Sequence, residues 1–341
     1  MIKLGFIGTG FVAQQCHLPS FDSVARCTIV AVSDLQSDLA DKIGRRYEVP
    51  KVYYSHRELL EDPEIDAVVI TVPRPLTSAL CFDALQAGKM VFTEKPVSLN
   101  YSTGLSLLEV SSKLNLPVQV GYMRRYDSAV LKAAQHLKVL KDSEQSPVLV
   151  RAYCYMGDSY CSPFGDFKST QMLQNTISNF ESRPSWLDKK TSAVYESYLN
   201  VFSHILDLIS ILLNTKLSVV KTLLDSQGQG IVLLSTADGV AIELSTAKSS
   251  LNQWMEGISF VFGDQIVDLS LSPAFLKNVP STLQIRRGDT DDMVEIVRPK
   301  WSWAFRNQAE NFINLCQNWP DSEANLADAV EQVRLVESIF S

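Results

Sequence analysis

The chain has 341 residues, 46% hydrophobic and 20% charged, ordinary for a globular protein with more than one core, so two domains are expected. Lys and Arg number 31 against 38 Asp and Glu, a net charge of −7 without any basic block, which argues against non-specific nucleic-acid binding. No apolar stretch is expected to reach the length of a membrane span, and the N-terminus enters a strand at once, leaving no room for a secretory signal; a cytoplasmic protein is expected.

In chain order, the apolar run Ile2–Ile7 leads into Gly8-Thr9-Gly10-Phe11-Val12-Ala13, a G-x-G-x-x-A turn between a buried strand and a helix. Gly8 suits the tight turn, Gly10 lets backbone approach a pyrophosphate, and Ala13 allows close strand–helix packing. A second run, residues 28–33, ends at Asp34, close to the ~20-residue offset at which an acid accepts from a ribose 2′-hydroxyl. The competing reading is an ordinary turn and a surface strand end. A helix over Ser37–Tyr47 follows, then a short element at residues 52–54. Ser55 is expected to cap a helix through Leu60, with Glu58 completing a capping box. Strands are expected at Ala67–Thr71, stopped by Val72-Pro73-Arg74-Pro75, at Met90–Thr93 and at Val118–Val120. Helices over Ser78–Ala87, closed by Gly88, and Ser102–Leu114 separate them. Such alternation predicts a doubly wound parallel sheet.

After Gly121 the pattern changes. A helix over Ala129–Leu140 precedes a long strand at Val148–Tyr155. Residues Met156–Lys190 are polar, aromatic and irregular, with Pro163, Gly165 and Pro184, and so long a loop is expected to carry function or a partner contact. An apolar helix over Val194–Leu213 is followed by strands near 218–224, 230–235, 240–247, 256–262, 265–271 and 283–287. Asp238-Gly239 and Gly263-Asp264 are the hairpin turns, and helices over Ala304–Cys316 and Leu326–Phe340 close the chain. The predicted architecture is α/β: a Rossmann domain over residues 1–122 and, over 123–341, an α+β domain with a large, mainly antiparallel open sheet. The terminal helices 304–341 are allowed to pack back on the first domain.

Lys95, between Glu94 and Pro96, follows a buried strand at the carboxyl edge of the parallel sheet, where ligands bind. It could serve a nicotinamide ribose, a substrate hydroxyl or a forming alkoxide, or be a solvated strand-end lysine. Asn200, His204 and Asp207 stand at i, i+4 and i+7 on one apolar helix, so an acid/base histidine tuned by a carboxylate competes with a plain buried His–Asp pair. His17, His56 and His136 lack such context. Arg124 and Arg125, in Gly121-Tyr122-Met123-Arg124-Arg125-Tyr126-Asp127, could bind a polyol, carboxylate or phosphate, or join the two domains by salt bridges. The six cysteines form no C-x-x-C pair and read as reduced, mostly buried hydrophobes, with no metal site expected.

Taken together, Gly8–Ala13, Asp34, Glu94-Lys95-Pro96, Val120–Asp127, the His204/Asp207 helix and the closing Phe312…Asp328-Ala329…Ile339-Phe340-Ser341 pattern resemble the glucose–fructose oxidoreductase / inositol 2-dehydrogenase / MocA (Gfo/Idh/MocA) family. The resemblance covers essentially the whole chain and implies NAD(P)-dependent hydride transfer on a ring hydroxyl or ketone of a sugar, cyclitol or sugar derivative. It implies Lys95 and His204 as catalytic residues, and Tyr122, Arg124, Arg125, Asn200 and Asp207 around substrate. Gly8, Thr9, Gly10, Phe11, Val12, Asp34, Thr71, Pro73, Glu94 and Lys95 would hold the cofactor. Asp34, with Leu35 rather than an arginine beside it, points to NAD rather than NADP. A homodimer or homotetramer through the C-terminal sheet is implied too. The family's D-x-G-x-H motif reads Asn200-x-Phe202-x-His204 here, the glycine-rich stretch before that helix is replaced by residues 192–198, and the histidine after the third strand's Pro-Asn is missing. An NAD-dependent glycosidase and a non-catalytic dinucleotide-binding regulator are the alternatives.

Overall fold

The computed structural model describes residues 1–157, 167–171, 183–251, 253–288, 293–297, 299 and 301–341. The chain divides into two compact units. Unit 1 holds Met1–Gly121, the described part of 163–185 and Phe305–Val333; unit 2 holds Tyr122 to residue 162, Trp186–Ala304 and Arg334–Ser341.

Unit 1 is built on six parallel strands in the order β3-β2-β1-β4-β5-β6: β1 (Ile2–Ile7), β2 (Cys27–Ser33), β3 (Lys51–Tyr53), β4 (Ala67–Ile70), β5 (Met90–Thr93) and β6 (Val118–Val120). The centre of the sheet is covered on both faces, which is why β4 is Ala-Val-Val-Ile with every residue buried. The order reverses between β1 and β4, the switch point at which open α/β sheets bind ligands. The connecting helices follow local signals. α2 (Ser37–Arg46) turns Leu39, Ala40, Ile43 and Gly44 inward. α3 (His56–Glu61) is capped by Ser55, whose oxygen accepts from Arg57 N; the predicted box would have used Glu58 N, one residue on. α4 (Thr77–Gln86) ends before Gly88 at φ +75°, and α5 (Tyr101–Leu114) starts at Asn100, whose side chain accepts from Thr103 N at 2.8 Å. Phe6, Phe21, Phe92 and Phe312 meet edge-to-face at 5.5–6.1 Å between centroids. Phe312 comes from α9 (Ala304–Asn318), so the first closing helix is part of this core.

Unit 2 carries an eight-stranded sheet in the order β14-β13-β12-β11-β7-β10-β9-β8, with only β7 and β10 parallel. The strands are β7 (Leu149–Met156), β8 (Leu217–Leu224), β9 (Gly230–Thr236), β10 (Ala241–Lys248), β11 (Met255–Val261), β12 (Gln265–Leu271), β13 (Thr282–Arg287) and β14 (Met293–Val297). β14 has no counterpart in the sequence reading: its residues are exposed or half-buried on both faces, so it lacks the alternation that marks a core strand. α6 (Ser128–Asp142) and α8 (Ser203–Leu213) pack together, and α8 lies against β7 and β11.

Two sequence readings need correction here. Residues Lys189–Leu213 form one 25-residue helical stretch long and apolar enough to cross a membrane by composition, contrary to the expectation that no stretch reaches that length. Most of its apolar window (61%) is buried inside the fold, as in a core helix. That stretch is also not a uniform α-helix: α7 (Lys189–Ser197) is joined to α8 by a π turn at Tyr198–Phe202. Most of the irregular Met156–Lys190 segment, Cys161, Pro163 and Gly165 included, lies outside the described residues.

Candidate functional site

The switch point of unit 1 is lined by the glycine turn. Gly8 sits at φ +87°, and a Cβ there would come within 2.5 Å of the Thr71 carbonyl oxygen, so glycine is required twice over. Thr71 Oγ1 donates to the Gly8 carbonyl at 2.7 Å, tying the end of β4 to the turn. A Cβ built on Gly10 meets nothing within 4 Å. Helix begins at residue 11 and passes through a π turn at Ala13–His17 before α1 (Leu18–Asp22), so its first turn faces that open space. Phe11 is 40% exposed, Val12 is half-buried and Pro73, beyond β4, is exposed.

Thr9 anchors the acid that follows β2. It is fully buried, and its N–H and hydroxyl donate to Asp34 Oδ2 at 2.8 and 2.9 Å, while Gln36 N donates to Oδ1 at 3.0 Å. Thr9 therefore fixes the carboxylate at the end of β2, and Asp34 presents it beside the turn. The open space over Gly10, the helix start and an anchored acid at the second strand's end fit a dinucleotide: pyrophosphate at the turn, adenosine ribose at Asp34.

Glu94 and Lys95 follow β5 on the same sheet edge. Burial alone would push the Glu94 carboxyl up, but the hydrogen bond from His17 and the neighbouring charges of His17 and Lys95 outweigh it, and the net shift is downward. His17 Nε2 lies 2.7 Å from Glu94 Oε1, and the Lys95 N–H donates to Oε2 at 3.2 Å. The imidazole is 1% exposed and stands edge-to-face against Phe92 (5.0 Å) and Phe305 (5.5 Å). Gly121 leaves the room this carboxylate occupies, since a Cβ there would approach Glu94 Oε1 to 2.9 Å. Lys95 itself is lowered to about 8, chiefly by burial and further by Arg74, against the opposing pull of Glu94. An amine at that value exchanges protons near neutral pH. His17 was passed over in the sequence for want of context. Its only signal there was an ionisable side chain inside the apolar helix that leaves the glycine turn.

The other predicted residues belong to unit 2. Asn200 lies within the π turn and His204 is the second residue of α8, both half-buried amid buried neighbours. The Tyr122 ring meets the His204 ring edge-to-face at 5.7 Å, and the Arg125 guanidinium lies 5.8 Å from the Tyr122 centroid. Asp207 lies further along α8. It is fully buried, and Arg125 grips it with two hydrogen bonds, Nε to Oδ2 at 2.8 Å and Nη2 to Oδ1. Arg124 is likewise internal: it donates to Glu256 Oε2 and to the Ser272 carbonyl, each at 2.5 Å, and Glu256 also accepts from Trp254 Nε1 at 3.2 Å. Both arginines thus form ion pairs inside unit 2, Arg124 with Glu256 and Arg125 with Asp207. Among the described residues no cluster of His, Cys, Asp and Glu could hold a metal ion.

Residues 2–122 match the family model described as Oxidoreductase family, NAD-binding Rossmann fold. This N-terminal domain belongs to the Gfo/Idh/MocA oxidoreductase family. Over 153 residues the chain is 33% identical to an inositol 2-dehydrogenase/D-chiro-inositol 3-dehydrogenase of Shouchella clausii, covering 44% of this chain and 43% of that protein. Over 201 residues it is 27% identical to an inositol 2-dehydrogenase of Salmonella typhimurium, covering 57% of each. The matches thus span about half the length of these relatives. Among solved structures, a 3-ketoreductase from Actinomadura kijaniata with NADP and TDP-benzene superposes with a TM-score of 0.75 at 17% identity, covering 99% of this chain and 97% of that one. A scyllo-inositol dehydrogenase from Lactobacillus casei gives 0.71 at 17%, covering 99% and 95%. At such identities the likeness establishes the Gfo/Idh/MocA fold over both units.

Proposed function

We propose that the protein is an NAD-dependent oxidoreductase acting on a ring hydroxyl or ketone of a sugar, cyclitol or sugar derivative. The observation that carries this reading is Lys95: an amine lowered to about 8 by burial, at the ligand-binding edge of a dinucleotide-binding sheet. The inositol dehydrogenases and the ketoreductase among its relatives supply the substrate class. When bound, the nicotinamide accepts or supplies the hydride. The chain's own residues handle the rest. Lys95 takes up or returns the proton at the substrate oxygen, and its positive form steadies an alkoxide. Glu94, held by His17, keeps a negative charge beside that amine. In unit 2, His204 is the second acid/base candidate, with its ring set against Tyr122, and Asn200 orients a hydroxyl as an amide without supplying a countercharge.

Asp34 favours NAD, since a 2′-phosphate would meet a like charge. We also assign the eight-stranded sheet to self-association in a cytoplasmic homo-oligomer: its edge strand β14 leaves Met293, Val294 and Ile296 about half exposed. Light scattering that returns a monomer overturns that assignment. The functional reading is tested by titrating with NADH and NADPH, followed by nicotinamide absorbance on a panel of cyclitols and sugars. Binding plus turnover on any ring alcohol is expected; failure to bind either dinucleotide refutes it.

A further inference from the structure

Residues 167–171, which follow β7 in the chain, bond to Gln14 and to the start of α2 within unit 1. Gln14, in the π turn behind the glycine motif, pairs with Phe167 in both directions: Phe167 N donates to Oε1 at 2.7 Å and Nε2 donates to the Phe167 carbonyl at 3.1 Å. The same amide donates to the Thr9 carbonyl at 2.8 Å, so the segment is anchored to the glycine turn. At its other end Ser169 Oγ, Thr170 N and Thr170 Oγ1 all donate to Asp38, the last two at 3.0 and 3.2 Å, holding that carboxyl well below its usual range. Gln36 occupies the N-cap position of α2 without capping it; its amide donates instead to the Gln171 carbonyl at 2.8 Å, and Gln171 Nε2 donates to Ser37 Oγ at 2.9 Å.

A 2′-phosphate on the adenosine ribose needs donors or cations from the residues just after the second strand. Four side chains in this region already contact the segment or its neighbours. Gln36 donates to the Gln171 carbonyl, and Ser37 Oγ accepts from the Gln171 amide. Lys42 donates to Asp38 at 3.2 Å and to the Lys168 carbonyl at 3.1 Å, and the Arg46 guanidinium lies 5.5 Å from the Phe167 centroid. We infer that residues 167–171 are a specificity-determining strap, which withholds from a 2′-phosphate the groups that could bind it and so restricts the site to NAD(H), over and above the charge of Asp34. This inference rests on the dinucleotide reading above.

The test separates the strap from the charge. In the triple variant Ser169→Ala/Thr170→Ala/Gln171→Ala both Asp34 and Asp38 remain, while the strap's side-chain bonds to Asp38 and Ser37 are lost and its hold is weakened to the backbone contacts with Gln14, Gln36, Asp38 and Lys42. NADH and NADPH dissociation constants are measured by nicotinamide fluorescence on full-length wild type and variant, with circular dichroism to confirm folding; Gln171→Ala alone, on an exposed residue, serves if the triple does not fold. The wild type is expected to prefer NADH. The triple variant is expected to narrow the NADPH/NADH ratio about tenfold by tighter NADPH binding, with NADH affinity changed by less than about threefold; the single variant should narrow it about threefold. A ratio unchanged in a folded variant overturns the strap and leaves the dinucleotide reading standing. A wild type that binds neither cofactor overturns that reading, and the strap with it.

Discussion

Replacing Lys95 with methionine separates the cost of this amine from its use. The side chains are similar in length, so packing is largely kept while the charge is removed. Burial lowers Lys95 from 10.5 to about 8 in the folded chain, so below pH 8 it is charged in both states and folding it charged is unfavourable. At ~1.36 kcal/mol per unit, the difference of 10.5 − 8 amounts to about 3 kcal/mol. Between pH 8 and 10.5 the native state has released its proton while the unfolded chain retains it. Wild-type stability therefore gains from rising pH through that window, by about 2 kcal/mol between pH 7 and 9.5. Lys95→Met lacks this gain. Its stability relative to wild type should be most favourable at pH 7 and fall by about 2 kcal/mol at pH 9.5, all other titrations cancelling in the comparison. Parallel urea unfolding of the two cofactor-free proteins reads this directly. A stability difference that stays level from pH 7 to 9.5 refutes the buried-amine argument. Should a substrate be found, the same variant is expected to bind NADH and to transfer hydride at least ~100-fold more slowly.

His17→Phe should cost roughly 1–3 kcal/mol by stranding the buried Glu94 carboxylate, with His17→Gln recovering part of it, as read by urea unfolding. With Glu94 then more readily protonated, Lys95 loses the attraction that raises it, so pH-dependent acylation of Lys95 should set in at lower pH in His17→Phe than in wild type. Arg125→Met removes the ion-pair partner of the fully buried Asp207 and should cost about 3–5 kcal/mol; the double variant Arg125→Met/Asp207→Leu should recover much of this in the same assay. Gly10→Val, which fills the open space at the turn, should weaken NADH by more than ~10-fold in a fluorescence titration while leaving the melting temperature within a few degrees. Lys89, whose ammonium is buried and donates to the Asp62 and Ile65 carbonyls at 2.9 and 2.8 Å, is a purely structural control. Lys89→Ala should cost ~2–4 kcal/mol on unfolding and leave NADH affinity unchanged.

The parallel sheet and its glycine turn were legible because they are local: a buried run, Gly8 and Gly10 in order, an acid closing the next strand. The antiparallel strands were legible by alternation, and β14 was not, because neither of its faces is buried. What spacing could not reach was pairing between residues distant in sequence. Nothing at Arg125 announces that it pairs with Asp207, 82 positions on, or that Arg124 is neutralised by Glu256 on β11. The i, i+4, i+7 pattern at 200, 204 and 207 put polar groups on an apolar helix but gave no sign that Arg125 pairs with the carboxylate.

Both candidate sites also share a feature that α-helical periodicity hides. The two π turns, Ala13–His17 and Tyr198–Phe202, fall where polar side chains leave an otherwise apolar helix: Gln14 and His17 in the first, Asn200 in the second. A π turn widens the helix locally and changes the direction of the residues it contains relative to a 3.6-residue repeat. A wheel drawn at 100° per residue therefore misplaces these three side chains. In the first turn Gln14 bonds the strap and Thr9 while His17 bonds Glu94, two jobs from residues three apart. In an α-helix, residues at that spacing would share a face. The local widening of the backbone, more than any residue type, is what joins the dinucleotide turn to both the cofactor-side strap and the Glu94–Lys95 pair.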